Sequence, residues 1–229
     1  NYNSANGGDA MSEFFISGEF GSTESFAIGA INGEVAQVLK FPANTEEDTG
    51  FMIPVPDALN DSTDYTFMAD IYYAAGSNGT DRGLGDLSAD YAGAELGIGS
   101  NNAVVAGGSS GSIIPDNWHR VVIVVDGSNG VISRYVDGAL TGSSPIAAAE
   151  LPFGRYTLSS QLDIIGFAFT SEGYANSVSL REGAISHGHA VALGKASADG
   201  LPAQLPEVPS YVASWVPAGY VADRGTDIG

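Results

Sequence analysis

Trp118-His119-Arg120-Val121-Val122-Ile123-Val124-Val125 is followed at once by Asp126-Gly127-Ser128-Asn129-Gly130, and then by Val131-Ile132-Ser133-Arg134-Tyr135-Val136. The first run is mostly β-branched, the second is a turn cluster, and the third is again rich in strand formers. β-Branched side chains are stiff at χ1 and suit a pleated strand better than a helix. Asp137-Gly138 reverses the chain once more, and Asp-Gly is favoured where both central turn residues need positive φ. The passage therefore predicts two strands of a hairpin and the start of a third. Val121, Ile123 and Val125 share one face of the first strand, and Val122 and Val124 share the other. Both faces are apolar, so this strand should lie deep, between a second sheet and a covering loop or tail. Trp118 should anchor its start, buried, at about 3–5 kcal/mol if cut to Ala.

The same pattern repeats along the chain. Tyr65-Thr66-Phe67-Met68-Ala69-Asp70-Ile71-Tyr72-Tyr73 reads as another central strand. Ile164-Ile165-Gly166-Phe167-Ala168-Phe169 and Ala175-Asn176-Ser177-Val178-Ser179-Leu180 read as two more. From Ala74 to Ser112 the spacing predicts short strands with long loops. One helical turn is expected after Ser186, capped by that serine, holding His187 to Leu193 and stopped by Gly194. Beyond Gly200, Pro202, Pro206, Pro209 and Pro217 gather around Trp215 and Tyr220, the mark of a linker or extended tail. The fold class is all-β, a two-sheet sandwich with one short helical turn near the C-terminal end.

Composition narrows the function. The 229 residues suffice for one large β domain, and 31 of them are Gly, as a turn-rich chain requires. There are 27 Asp plus Glu against 8 Lys plus Arg, a net charge of −19. Such a surface repels phosphates and anionic lipid heads, which excludes nucleic acid as a partner and a membrane surface as a docking site. No apolar stretch is long enough to insert into a membrane. The chain has no cysteine, so disulfides and thiolate metal sites are excluded. It opens at Asn1 without a leader; the expectation is a mature exported bacterial protein or an excised domain.

Several segments together resemble the laminin G-like group of concanavalin A-like jelly rolls. They are Val38-Leu39-Lys40-Phe41-Pro42, Asp64 to Asp70, Pro115-Asp116-Asn117-Trp118-His119-Arg120-Val121-Val122, Arg134-Tyr135-Val136-Asp137-Gly138, Gly173 to Val178, Arg181 to Ser186, and Leu193 to Pro202. The match runs in order over about 35–202. The resemblance implies a jelly-roll domain over 1–202, with the part to about 34 less closely matched, and a Pro-rich linker or tail over 203–229. It implies a secreted or cell-surface bacterial protein and a non-catalytic, glycan-binding or accessory module. Its partners would be a polysaccharide or other domains or subunits of a larger exported protein. A structural or adhesive domain and a polysaccharide-active lyase or hydrolase are the alternatives. The resemblance also implies a structural Ca²⁺, although Thr170-Ser171-Glu172 carries one carboxylate where related chains are more acidic.

The residues bear on each of these. Glycosidase chemistry in such a fold needs two carboxylates facing one cleft, and no Glu-x-Asp-x-Glu or Glu-x-Asp-x-x-Glu run occurs on a strand. Gly107-Gly108-Ser109-Ser110-Gly111 fits Gly-x-Ser-x-Gly, but Ser112-Ile113-Ile114-Pro115 follows it, not the helix that a nucleophile elbow opens. His119 reads as a structural histidine, and His187 with His189 lacks an evident third metal ligand. The chain is therefore expected not to be an enzyme. Ca²⁺ takes carboxylate and carbonyl oxygens, and Asp81, Asp86 and Asp90 in the loop-rich segment are the candidate ligands. Sugar faces stack on exposed aromatics; Tyr72, Tyr73, Tyr91 and Trp215 are the candidates. Tyr72 and Tyr73 are neighbours on a strand and must point to opposite sides, so one of them faces outward.

Overall fold

The computed structural model describes residues 12–14, 30–36, 38–41, 50–53, 62–86, 95–146, 156–158 and 173–206. The strands are β1 (Ser12–Phe14), β2 (Leu39–Phe41), β3 (Gly50–Ile53), β4 (Asp64–Tyr73), β5 (Arg82–Asp86), β6 (Glu95–Ile98) and β7 (Val104–Val105). They continue as β8 (Ser109–Ser110), β9 (Trp118–Asp126), β10 (Val131–Val136), β11 (Ala139–Pro145), β12 (Tyr156–Leu158) and β13 (Gly173–Glu182), with one helix, α1 (His187–Ala192). The strand expected over 164–169 and the tail from 207 onward lie outside the described residues.

One antiparallel sheet in the order β11-β10-β9-β4-β13-β2 forms the main layer. The sheet β5-β6-β7-β8 packs against it, and the short sheet β1-β3-β12 lies alongside, with β12 next to β5. This is an all-β sandwich of the jelly-roll kind. Its two central strands pair from Asp64 opposite Asp126 to Tyr72 opposite Trp118.

Strand alternation sorts the side chains. Val121, Ile123 and Val125 join Phe67, Ile71 and Leu96 between the sheets. Val122 and Val124 face the other way, against Met68, Tyr135, Ala190 and Leu193. Each fully buried aliphatic side chain contributes about 1.5–3 kcal/mol. The outer face of the main sheet is thus closed by α1 and the segment after it, as two apolar faces on one strand require. Ser186 caps α1, accepting the His189 N–H, and Gly194 ends it at φ 61°. The hairpin between β10 and β11 turns at Asp137 (φ 53°) and Gly138 (φ 78°). A Cβ on Gly138 would stand 2.8 Å from the Val191 carbonyl oxygen, so glycine serves both the turn and the close passage of α1.

The outer face also holds a buried ion pair. Asp70 and Arg120 stand opposite each other on β4 and β9. The Arg120 Nε and Nη2 donate to the two Asp70 carboxylate oxygens, both at 2.7 Å. Nη1 donates to the Leu193 carbonyl at 2.6 Å and Nη2 also to the Gly200 carbonyl at 3.0 Å. Asp70 is 0 % exposed. Arg120→Met should therefore strand a buried carboxylate and two carbonyls and cost about 3–5 kcal/mol, read as a lower urea midpoint. The double variant Asp70→Leu/Arg120→Met should lose less than the sum of its two singles.

Candidate functional site

The outer face of the main sheet is apolar and closed near its middle, and its character changes at the end where β4 finishes and β9 begins. Here Trp118, Tyr72 and Tyr174 stand in one cross-strand row. The Tyr72 ring lies 5.7 Å from Trp118, tilted by 50°, and 5.7 Å from Tyr174, edge to face. Such geometries suit the negative face and positive edge of aromatic rings. Tyr174 is buried beneath Ile31, Ala36 and Val38, whereas Tyr72 and Trp118 are only half-buried. Asn32 fastens the covering turn by donating to the Ala196 carbonyl at 2.9 Å.

A polar loop borders the half-buried pair. Asp116 takes a left-handed conformation, φ 61°, one that Asp and Asn tolerate better than most residues. Its N–H donates to the Tyr73 carbonyl at 2.9 Å. Its Oδ1 accepts the Tyr72 hydroxyl at 3.3 Å and the Ala75 N–H at 3.0 Å. Asn117 beside it is exposed. The arrangement is an aromatic surface edged by a carboxylate and a carboxamide, which can stack on a ring and accept hydrogen bonds from hydroxyls.

Two buried groups hold this loop. His119 accepts the Ile114 N–H at Nε2, 2.9 Å, and donates from Nδ1 to Asp137 Oδ2, 2.8 Å. Asp137 Oδ1 accepts the Arg120 N–H at 3.0 Å. Burial pushes the Asp137 carboxyl up, but the His119 ring and the Arg120 N–H outweigh burial and hold it below its ordinary value. With both ring nitrogens spent on the chain, His119 has neither a free base nitrogen nor a nucleophile to activate.

Arg82 is the second, 0 % exposed. Its Nη1 donates to Ser77 Oγ and its Nη2 to the Gly99 carbonyl and Asn102 Oδ1, all at 2.8 Å. Its guanidinium also lies 5.2 Å from the Tyr73 ring centre. The loops 74–81 and 99–103 are thereby gathered around a cation that belongs to the chain.

The candidates from the sequence divide accordingly. Tyr72 faces outward, in the site. Tyr73 points inward at 1 % exposure, and burial pushes its phenol up; it is a core residue and leaves the ligand-binding set. Tyr91, Trp215 and Asp90 fall outside the described residues. Asp81 Oδ1 accepts the Ser100 N–H, and Asp86 ends β5 with its side chain outside the described residues. Among the described residues no group of three acidic or histidine side chains could hold a metal ion. Trp118, read as a buried anchor, is partly buried at the rim where β9 begins, with its indole nitrogen covered. Asp116 was not anticipated; the signal for it was the Pro115-Asp116-Asn117 turn just before a strand.

The sequence matches no protein-family model and no curated protein. The fold has solved counterparts. Trypanosoma rangeli sialidase, as its covalent intermediate with 2,3-difluorosialic acid, is 20 % identical, with a TM-score of 0.52 over 68 % of this chain and 27 % of that one. Botulinum neurotoxin type C, which depends on two ganglioside molecules to enter cells, is 13 % identical, with a TM-score of 0.55 over 77 % of this chain and 44 % of that one. The binding domain of botulinum neurotoxin DC in complex with rat synaptotagmin II is 12 % identical, with a TM-score of 0.51 over 68 % and 41 %. The chain spans less than half the length of each. At these identities the likeness is one of fold.

The loop supports give a pH prediction. The Asp137 carboxyl has a lower pKa folded than unfolded, so the unfolded chain takes up the proton first. Its contribution is full above the ordinary carboxylate value, about pH 4, and is lost as pH falls through the folded value. Asp137→Asn, tolerated at this positive φ, should cost about 1–3 kcal/mol at pH 7 and progressively less on acidification. Urea midpoints at neutral and acid pH check this.

Proposed function

We propose that this chain is a non-catalytic, glycan-binding module of the laminin G-like kind, belonging to a secreted or cell-surface bacterial protein. The observation that carries the reading is the partly exposed Tyr72–Trp118 pair edged by Asp116 and Asn117. A sugar offers a C–H face to an aromatic ring and hydroxyls to carboxylate and amide oxygens; this rim presents both partners. Jelly-roll counterparts whose own structures concern gangliosides and sialic acid lend support at the level of fold. Catalysis is disfavoured by the committed ring nitrogens of His119.

A protein partner is the second reading, favoured by the counterpart solved with synaptotagmin II. A glycan array followed by titration calorimetry separates the two. Tyr72→Ala and Trp118→Ala should each weaken glycan binding by about tenfold, near 1.4 kcal/mol. Trp118→Ala should stay folded, because a partly buried indole at the rim gives up less than the roughly 3–5 kcal/mol of a fully buried one. Silence across the array, with capture of one specific protein through the same rim, would favour the second reading.

Calcium stays outside this proposal, because the Arg82 guanidinium already supplies the positive charge between the loops that Asp81 borders. Chelation should leave the melting temperature unchanged. A fall on adding EDTA, reversed by Ca²⁺, would place a structural ion in the domain.

A further inference from the structure

The charge distribution bears on which glycans the rim can accept. The chain carries 8 Lys plus Arg against 27 Asp plus Glu. Three of those cations, Arg82, Arg120 and Arg134, are buried at 0, 3 and 2 % exposure. Their hydrogen bonds end on the chain itself. Arg134 donates to Ser110 Oγ at 2.7 Å, the Ala106 carbonyl at 2.6 Å and Ser144 Oγ at 2.8 Å, with no carboxylate among these partners. These charges cannot meet a ligand, and among the described residues Asp70 alone is an acid buried with them. Among those residues, burial thus removes more positive than negative charge from the surface.

The rim follows the same rule. Asp116 is exposed, and Glu34 is exposed on the turn that covers Tyr174. Lys40 sits opposite Tyr174 in register, two strands from Tyr72, with buried Tyr174 between. Lys195, at the end of α1, is exposed, and its charge acts on Asp137. Asp116 borders the aromatic pair as an acceptor, and the Asn117 Nδ2 beside it already donates to the Pro115 carbonyl, leaving its Oδ1 to accept. A hydroxyl can donate to the Asp116 carboxylate, whereas a sugar carboxylate or sulfate has no proton to give and meets a repulsive field.

We infer that the Tyr72–Trp118–Asp116 rim selects neutral glycans and rejects sialylated, sulfated and uronate-containing ones. The inference rests on the glycan reading, and it parts this chain from the sialic-acid ligand of its sialidase counterpart.

The test uses the whole chain in affinity electrophoresis and calorimetry. The neutral probes are β-glucan, galactan and mannan; the anionic ones are alginate, carrageenan and sialyllactose. Salt is set at about 20 mM and about 500 mM NaCl, which changes screening strongly. Expected is binding to a neutral polysaccharide with less than about a twofold change across the salt range, since no ion pair is formed. No anionic probe should bind at low salt. Asp116→Asn keeps the backbone conformation and should weaken neutral binding by about tenfold, with an unchanged circular dichroism spectrum as the control for folding. Tighter binding of an anionic probe at low salt would overturn the inference and leave the glycan reading standing. Failure of every probe to bind would overturn both.

Discussion

Asp70 and Arg120 meet across the two central strands in a fork that excludes water, and the outer half of the molecule is assembled upon it. A buried ion pair repays its desolvation only when geometry and further hydrogen bonds are good. Here both carboxylate oxygens are used, and the guanidinium goes on to fasten the end of α1 through Leu193 and the closing turn through Gly200. The pair joins a sheet to the segment that covers it. Hydrophobic contact between Val122, Val124, Ala190 and Leu193 supplies the attraction, but such contact is non-directional. The fork fixes where along the sheet the cover comes to rest.

The other two buried guanidiniums act on the opposite side. Arg82 gathers the loops at one end of the four-stranded sheet, and Arg134 ties Ala106 and Ser110 to Ser144 on β11. Hydroxyls and carbonyls solvate each of them. Arginine suits this use because its charge is spread over a planar group with five donors and is more weakly hydrated than an ammonium. In a cysteine-free chain these fixed cations take on part of the cross-linking that a disulfide or a metal would otherwise supply. The aromatic rim is tied to Arg82 in this way: Arg82 donates to Ser77 Oγ, Ser77 donates to the Ala74 carbonyl, and the next residue, Ala75, donates its N–H to Asp116.

Much of the fold was legible because β9 states its own surroundings. Val121 to Val125 is apolar on both faces, which demands cover on both, and Asp137-Gly138 and Ser186 act locally, through backbone preferences that need no partner. The site was less legible. Whether Tyr72 or Tyr73 faces outward depends on register, and both parities of that strand are rich in apolar residues. Trp118 was placed inside because tryptophan usually is; its position at the rim follows from where β9 begins. Asp70 and Arg134 interrupt otherwise apolar faces, a sign of buried pairing, yet their partners lie 50 residues away for Asp70 and from 10 to 28 away for Arg134. Sequence order alone does not choose such partners.

The fork also orders events in time. β9, β10 and β11 can form as soon as they are made, for they are joined by short turns. The outer face of that sheet, with Val122, Val124 and Arg120, has no cover until residues 193–200 arrive, 73 and 80 positions beyond Arg120 at the two fastening points. A chain emerging from the ribosome therefore carries an apolar sheet face, with its Asp70–Arg120 pair uncovered, until the Leu193 and Gly200 carbonyls arrive. Contacts so distant in sequence are slow to close, and exposed sheets of this kind are prone to associate. The domain is finished late, when the segment made after α1 closes over the sheet.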